Sequence, residues 1–505
     1  MKHLRWWPLV LILAIGGAGI GYALAKTEWV YQQQRSMMLL GFTFGTYLAL
    51  LIWWLAFSRA SRRAKLIGLG VALLPAALFR HRGMSGDFIP IFEFRFAKSA
   101  APLAAGASLA GDTTTRADFP QLLGPNRDGR LAGPALDPDW NAHPPQLIWK
   151  SAVGAAWCGF AIAGNRAVTM EQEGENECVT CYELTTGKPL WRSASPGHYN
   201  SGIAGEGPRA TPSIAGESVF TLGANGTFRC LDLATGNQRW QADIMADSSA
   251  KLPDWGFSSS PLIVGENVIV SAGGANGKSL LAYNQSNGKL AWSAGDRPAS
   301  YSSPFLRTLA GREQLLMFNS EAITAHDPAT GAVLWEHAWG KGMPHVAAPI
   351  VTGGDRVLFS SGYGVGSALL AIAPGTDGKF TASEIWKTIR FQAKFSNPVE
   401  RDGYVYGMSD GFFACLDLRD GTVKWKSGRY GHGQCLLIGE HLLQITEDPG
   451  DLVLLRPTPE CANELARIHV FDSKTWNPPA LSGDLLLLRN DTEAACLRLP
   501  LKKAE

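Results

Sequence analysis

Eight side chains stand just ahead of short strands, six of them marked by proline. They are Trp157 in "WCGF", Arg209 in "GPRATP", Trp255 before "GFSSSP", Tyr301 in "YSSP", His345 in "PHVAAP", Lys394 in "KFSNP", His432 in "YGHGQ" and Trp476 in "TWNPP". Cations interleaved with aromatic rings can grip a planar carboxylate or an acidic peptide by charge-assisted hydrogen bonds and cation–π contact. The plain alternative is a loop rim with an ordinary mixture of polar and aromatic residues. Glu206 and Asp254, ahead of the second and third of these strands, are the carboxylates best placed to serve as a general base or cation ligand, and a solvated loop carboxylate is the competing reading for each. The chain contains no HExxH, GxSxG or P-loop pattern, no CxxCH and no adjacent cysteine pair, so no hydrolase, nucleotide or covalent haem site is indicated.

Cys178-Val-Thr-Cys181 has the spacing of a redox or metal pair. Alignment argues otherwise. Cys181, Cys230 and Cys415 each lie six residues before a glycine, where two further units carry Ala282 and Ala325, and Cys496 in "ACLRL" matches "RCLDL" and "ACLDL". This is one repeated slot for a small residue, so the cysteines read as buried, unpaired and structural, and no metal site is expected.

The elements that must position these residues come from a repeat. Glu183/Gly187/Trp191, Asp232/Gly236/Trp240, Asn284/Gly288/Trp292, Asp327/Gly331/Trp335 and Asp417/Gly421/Trp425 share one spacing. In "CLDLATGNQRW" an alternating strand meets a glycine turn and leaves as a strand carrying Trp. The glycine supplies positive φ, the acidic residue bonds turn amides, and the Trp docks one unit on the next. Trp386, Trp149 and "ELARIHVF" mark three degenerate units, giving eight outer strands. Units of about 45 residues suit four-stranded blades. The chain ends three strands into a unit and opens its repeat region with a lone outer strand at Trp149, so the two ends are expected to complete one blade together.

The "x-D-x-x-T-G-x-x-x-W" units resemble the repeats of the pyrroloquinoline-quinone (PQQ) family of β-propellers, and "FPQLLGPNRDG" (Phe119 to Gly129) is similar to the lead-in of its membrane-linked bacterial members. The resemblance implies an all-β, eight-bladed propeller of four-stranded antiparallel blades, its ring closed by an N-terminal strand. It also implies two functions on one fold. One is a non-enzymatic binding or scaffold module, like the propeller lipoprotein of outer-membrane protein assembly. The other is a quinoprotein oxidoreductase using PQQ and Ca²⁺ on a small alcohol or sugar. Many quinoprotein alcohol dehydrogenases carry adjacent cysteines, which this chain lacks, so the binding module is the preferred reading, with an envelope protein as partner.

Forty-six basic against 44 acidic residues leave no global basic field, which argues against nucleic acid. Trp6 to Ala25 and Met37 to Phe57 are uncharged runs of 20 and 21 residues, each able to cross a hydrocarbon core of about 30 Å. Leu66 to Phe79 is shorter and contains Pro75; an interfacial segment and a short third span both remain open. A cleaved signal peptide ending near Ala23-Leu24-Ala25 rivals the first span. The Arg59, Arg62, Arg63 and Lys65 cluster predicts a cytoplasmic amino terminus, with the propeller outside a bacterial inner membrane. Three parts are therefore expected: residues 1–82 as an α-helical membrane anchor with two to three spans, 83–117 as a flexible linker, and 118–500 as the propeller.

Overall fold

Each repeat forms the hairpin its residues call for. Gly187, Gly236, Gly288, Gly331 and Gly421 sit at φ between 70° and 76°, a region that only glycine enters freely. Each donates its N–H to the carbonyl four residues earlier at 2.8 to 2.9 Å. Asp232 Oδ1 accepts from the amides of Ala234 and Thr235 and from the Thr235 hydroxyl, and Asp327 makes the same three bonds to Ala329 and Thr330.

Glycine is required here for a second reason. A Cβ on these five residues would fall 2.4 to 2.7 Å from the indoles of Trp149, Trp191, Trp240, Trp292 and Trp386, each in the preceding sheet. Four of those indoles, Trp292 excepted, donate Nε1–H into the next sheet, to the carbonyls of Leu184, Leu233, Gln285 and Leu418 at 2.8 to 2.9 Å. Trp425 reaches Thr458 O at 3.0 Å. Trp335 departs from the pattern: it donates to Gln314 Oε1 of its own sheet, because the next sheet replaces the short glycine turn with a longer one around Gly378. It is still buried among Leu370 and Ile372 of that sheet.

The computed structural model describes residues 6–26, 32–96, 103, 105–112, 114–202, 204–340 and 342–502, in two units, Met1–Ala100 and Ala101–Glu505. The second unit contains eight sheets built on four antiparallel strands. The first three begin at Ala161–Ala163, Ser213–Ala215 and Leu262–Val264. The next three begin at Phe305–Leu309, Ile350–Thr352 and Val399–Arg401, and the last two at Cys435–Ile438 and Ala480–Ser482. The eighth takes its outer strand, Gln146–Ala152, from the start of the repeat region, with Cys496 opposite Trp149. The seventh gains a fifth strand, Arg130–Leu131, paired parallel to Cys435–Ile438. Strands buried on both faces place the core between sheets: Phe220, Phe228 and Trp240 of sheet 2 pack on Val268, Val270, Leu281 and Tyr283 of sheet 3.

The cysteine slot lies directly across from the docking Trp, with Cys181, Cys230, Ala282, Ala325 and Cys415 opposite Trp191, Trp240, Trp292, Trp335 and Trp425. A wide ring on one strand leaves room only for a small partner. In sheet 7 the slots are exchanged, Ala466 facing Leu454. Burial pushes the Cys181 and Cys415 thiols up to about 12, and the cysteines are unpaired.

The linker expected to be flexible over 83–117 is docked in its second half, although Lys98 to Thr115 is rich in Ala, Gly and Thr. Ala105 bridges Leu147, Leu109 is 7% exposed in a core cluster, and Arg116 pairs with Asp112 and Asp484 at 2.8 and 3.0 Å. Lys98 to Pro102, Ala104 and Thr113 lie outside the described residues.

In the first unit, α1 (Trp6–Ala25) and α2 (Gln32–Ile52) pack antiparallel through small residues, Gly16 against Thr46 and Gly19 against Phe42. α2 runs on through a wider turn, Trp53–Phe57, in which Ser58 N–H reaches Trp53 O at 2.8 Å. Trp6–Ala25 and Gln33–Phe57 are long and apolar enough to cross a membrane. α3 (Arg62–Leu78) continues through Pro75 and leads into a hairpin, β1 (Phe79–Met84) and β2 (Pro90–Phe94), where the linker was expected to begin.

Candidate binding site at the strand entries

The residues that precede the inner strands are linked from sheet to sheet through a device the sequence signals only by its Ser, Thr and Asn before proline and by Gln434 before Cys435. At several of these positions the backbone N–H is taken by the side chain at the same position in the next sheet: Gly159 by Thr211, Thr211 by Ser260 and Ser260 by Ser303, at 2.9 to 3.0 Å. The belt resumes from Ala348 to Asn397 and from Asn397 to Gln434, at 2.8 and 3.1 Å. It is interrupted between Ser303 and Ala348, since alanine offers no oxygen. Asn477 instead gives its amide to Ala156 O and Cys158 O.

Beyond the belt, the lead-in Phe119 to Leu131 crosses the inner strands. Phe119 exchanges backbone bonds with Ile162, Pro120 O accepts from Ile214 N, and Leu437 N donates to Gly129 O. Arg127, 2% exposed, donates to Pro261 O, Ser260 O and Gln121 Oε1 at 2.7, 3.0 and 3.2 Å. Burial lowers its guanidinium to about 9. Along the entries of sheets 1, 2, 3 and 7 the order is thus expected binding residue, belt residue, lead-in contact, which sets the expected binding residues, here called the collar, on the side of the belt away from the lead-in.

The collar falls into two arcs. In one, Arg209 donates to Trp255 O at 2.7 Å and Gly205 O at 3.0 Å and lies over the Tyr199 ring. Tyr301 accepts from Trp255 N at 3.3 Å, and the two rings are 5.1 Å apart. Burial holds Arg209 down to about 10 and pushes Tyr301 up to about 12. In the other, Trp157, Trp476, Phe395 and His432 form a chain of rings at 4.9, 4.9 and 4.7 Å. Lys474 lies 3.9 Å from the Trp476 ring centre and 4.7 Å from that of Trp157, and Glu447 accepts from Trp476 Nε1 and His432 N.

Not every expected residue is reachable. His345, Lys394 and His432 are 0, 1 and 0% exposed, and Trp157 is 7% exposed. They are buried among neighbouring side chains. His345 stacks on Phe318 at 4.3 Å and bonds Ser361, and burial lowers its imidazole to about 4, so it is neutral. Arg209, Trp255, Tyr301 and Trp476 retain exposed surface, joined by Lys474. Sequence reasoning missed Lys474, Tyr199, Phe395 and Glu447. Lys474 lies only two residues ahead of Trp476, a signal that was available, whereas Tyr199 and Glu447 arrive from other loops.

The carboxylates do not gather. Glu206 Oε1 pairs with His198 at 3.1 Å and Asp254 is exposed. Calcium takes six to eight oxygens, and among the described residues no three His, Cys, Asp or Glu side chains are placed to hold a metal ion. Glu206 and Asp254 therefore do not together supply a calcium ligand set.

A family model described as outer membrane protein assembly factor BamB matches residues 175–427, just over half of the chain. The chain belongs to the PQQ-like propeller family. No protein of curated function matches it in sequence. Among solved structures, it is similar to the quinohemoprotein alcohol dehydrogenase of Comamonas testosteroni at 14% identity over 77% of this chain and 81% of that one, with a TM-score of 0.54. The quinohemoprotein alcohol dehydrogenase ADHIIG of Pseudomonas putida HK5 gives 12%, 77%, 81% and 0.53. BamB from Moraxella catarrhalis gives 15% identity over 72% of this chain and 99% of that one, at 0.49. At these identities the two dehydrogenases establish the family's fold and no more.

Proposed function

We propose that the chain is a membrane-anchored binding module of the bacterial cell envelope. α1 and α2 hold it in the cytoplasmic membrane, and the eight sheets form one closed ring on the outer side. The collar takes an acidic peptide segment of a protein partner. The observation that carries this reading is the arc of half-buried Arg209, Trp255 and Tyr301 with Lys474 and Trp476 on the side of the belt away from the lead-in, where cations backed by rings suit carboxylates. The matching family model, an assembly factor by description, supports a protein partner. The quinoprotein oxidoreductase alternative needs a base and a cation site, and Glu206 and Asp254 provide neither together.

The test uses the full chain in detergent, titrated with polyglutamate and, separately, polyserine while Trp fluorescence is followed. Saturable, salt-sensitive binding of polyglutamate alone is expected, weakened at least tenfold by Lys474→Gln or Trp476→Leu. Binding that ignores both substitutions overturns the site. Dye-linked alcohol oxidation on adding PQQ and Ca²⁺ would overturn the functional class.

A further inference from the structure

The hairpin β1/β2 has one face of each kind. Its register pairs Phe79 with Phe94 and His81 with Phe92 on one side, and Arg80 with Glu93 on the other. The first two pairs have ring centres 5.5 and 5.6 Å apart, and Phe96 extends the row at 5.6 Å from Phe94. Arg80 and Glu93 form an ion pair at 2.5 Å. The aromatic face is bare: Phe92, Phe94 and Phe96 are 61, 42 and 71% exposed. An isolated two-stranded hairpin is marginal in water, and a row of uncovered rings worsens that balance.

What covers the face follows from the depth at which the helices place it. α2 and α3 run antiparallel and stay in register: Lys65 reaches Leu55 O, Gly68 lies on Trp54, the Tyr47 hydroxyl meets Ala72 O, and Gln33 Nε2 donates to Gly86 O at 2.9 Å. From Ala72, six further residues of α3 rise about 9 Å, which brings Phe79 level with roughly residue 40 of α2. The turn at Gly86 is level with Gln33. The hairpin therefore straddles the level of Arg35 to Met37, where the uncharged run of α2 begins. A strand of six residues is about 20 Å long yet is confined to about 10 Å of depth, so it lies tilted. Two-stranded edges leave backbone groups that hydrocarbon cannot satisfy but the headgroup zone can, and aromatic rings favour that zone.

We propose that β1/β2 is an interfacial anchor, its Phe79/Phe92/Phe94/Phe96 face seated in the bilayer at the boundary between headgroups and acyl chains, at the level of the amino-terminal end of α2. The inference rests on the membrane reading of α1 and α2. It completes the third crossing, which α3 alone is too short to make.

The test reads depth by site-directed spin labelling of the full chain in vesicles of phosphatidylethanolamine and phosphatidylglycerol. Labels go at Phe92→Cys, at Leu48→Cys in mid-α2 and at Thr235→Cys in a propeller turn, in a Cys461→Ser background that removes the exposed native thiol. Expected is a ratio of oxygen to nickel-chelate accessibility at 92 several-fold above that at 235 and below that at 48. A nickel accessibility at 92 equal to that at 235, with 48 deep in lipid, overturns the anchor and leaves the membrane reading standing. Low accessibility of 92 to both agents means protein covers the face and also overturns it. Position 48 open to nickel refutes the membrane reading itself, and the anchor with it.

Discussion

Replacing Gly236 with alanine separates the two demands that the repeat places on its glycine. The residue sits at φ 75°, and the added Cβ would lie 2.4 Å from Trp191 Cε3 of the preceding sheet. Gly164, in a turn of sheet 1, has φ 55° and nothing within 4 Å of its Cβ position. Both alanines incur the left-handed backbone penalty, about 1 to 2 kcal/mol. Only Gly236→Ala must also displace an indole whose Nε1–H is fixed to Leu233 O at 2.9 Å. Overpacking adds about 1 to 3 kcal/mol, more if that hydrogen bond breaks. Gly236→Ala should therefore destabilise by about 2 to 5 kcal/mol and Gly164→Ala by about 1 to 2. Urea unfolding followed by Trp fluorescence measures both. Equal losses would refute the reasoning, because they would leave only the backbone term and the Trp contact would carry no energy.

Cys230→Ala or Cys415→Ala should cost about 1 to 2 kcal/mol, since Ala282 and Ala325 already fill that slot, and reductant should not shift melting; a large reductant effect in a thermal melt would reveal a bridge. His345, with its folded pKa depressed to about 4 from 6.5, stays neutral while the unfolded chain takes up a proton. Its contribution is therefore complete above pH 6.5 and is lost as pH falls towards 4, by up to about 3 kcal/mol, and His345→Phe should flatten that part of a stability–pH curve. Arg127→Ala strips the donor from Ser260 O and Pro261 O and should lower stability by about 3 kcal/mol or more; unchanged urea unfolding would mean the lead-in is not held by this side chain. A phosphatase reporter fused after Glu505 should be active, because Gln33 and Gly86 place the end of the third segment beside the start of α2; an inactive fusion would reverse the orientation.

Local chemistry made part of this protein legible without coordinates. A glycine at positive φ, an acidic or amide residue four positions earlier and a Trp four positions later act within one hairpin, so their spacing alone implied the repeated turn and the docking ring. The cysteine slot was legible for the same reason, since Cys230 faces Trp240 across a single strand pair. Contacts between distant segments were not. The docked half of the linker reads as Ala, Gly and Thr, and only the pocket that receives Leu109 and the Asp484 carboxylate waiting for Arg116 decide that it packs. The sequence placed eight residues at the strand entries, yet whether a side chain such as His345 or Lys394 stays exposed or is buried depends on what arrives from neighbouring sheets. Phe318 and Tyr363 supplied the burial, and neither is near in sequence. The bare aromatic face of β1/β2 is the same lesson in the membrane unit. Alternation of Phe79, His81, Phe92 and Phe94 is visible in the chain, but its depth comes from the register between α2 and α3, which tertiary packing alone sets.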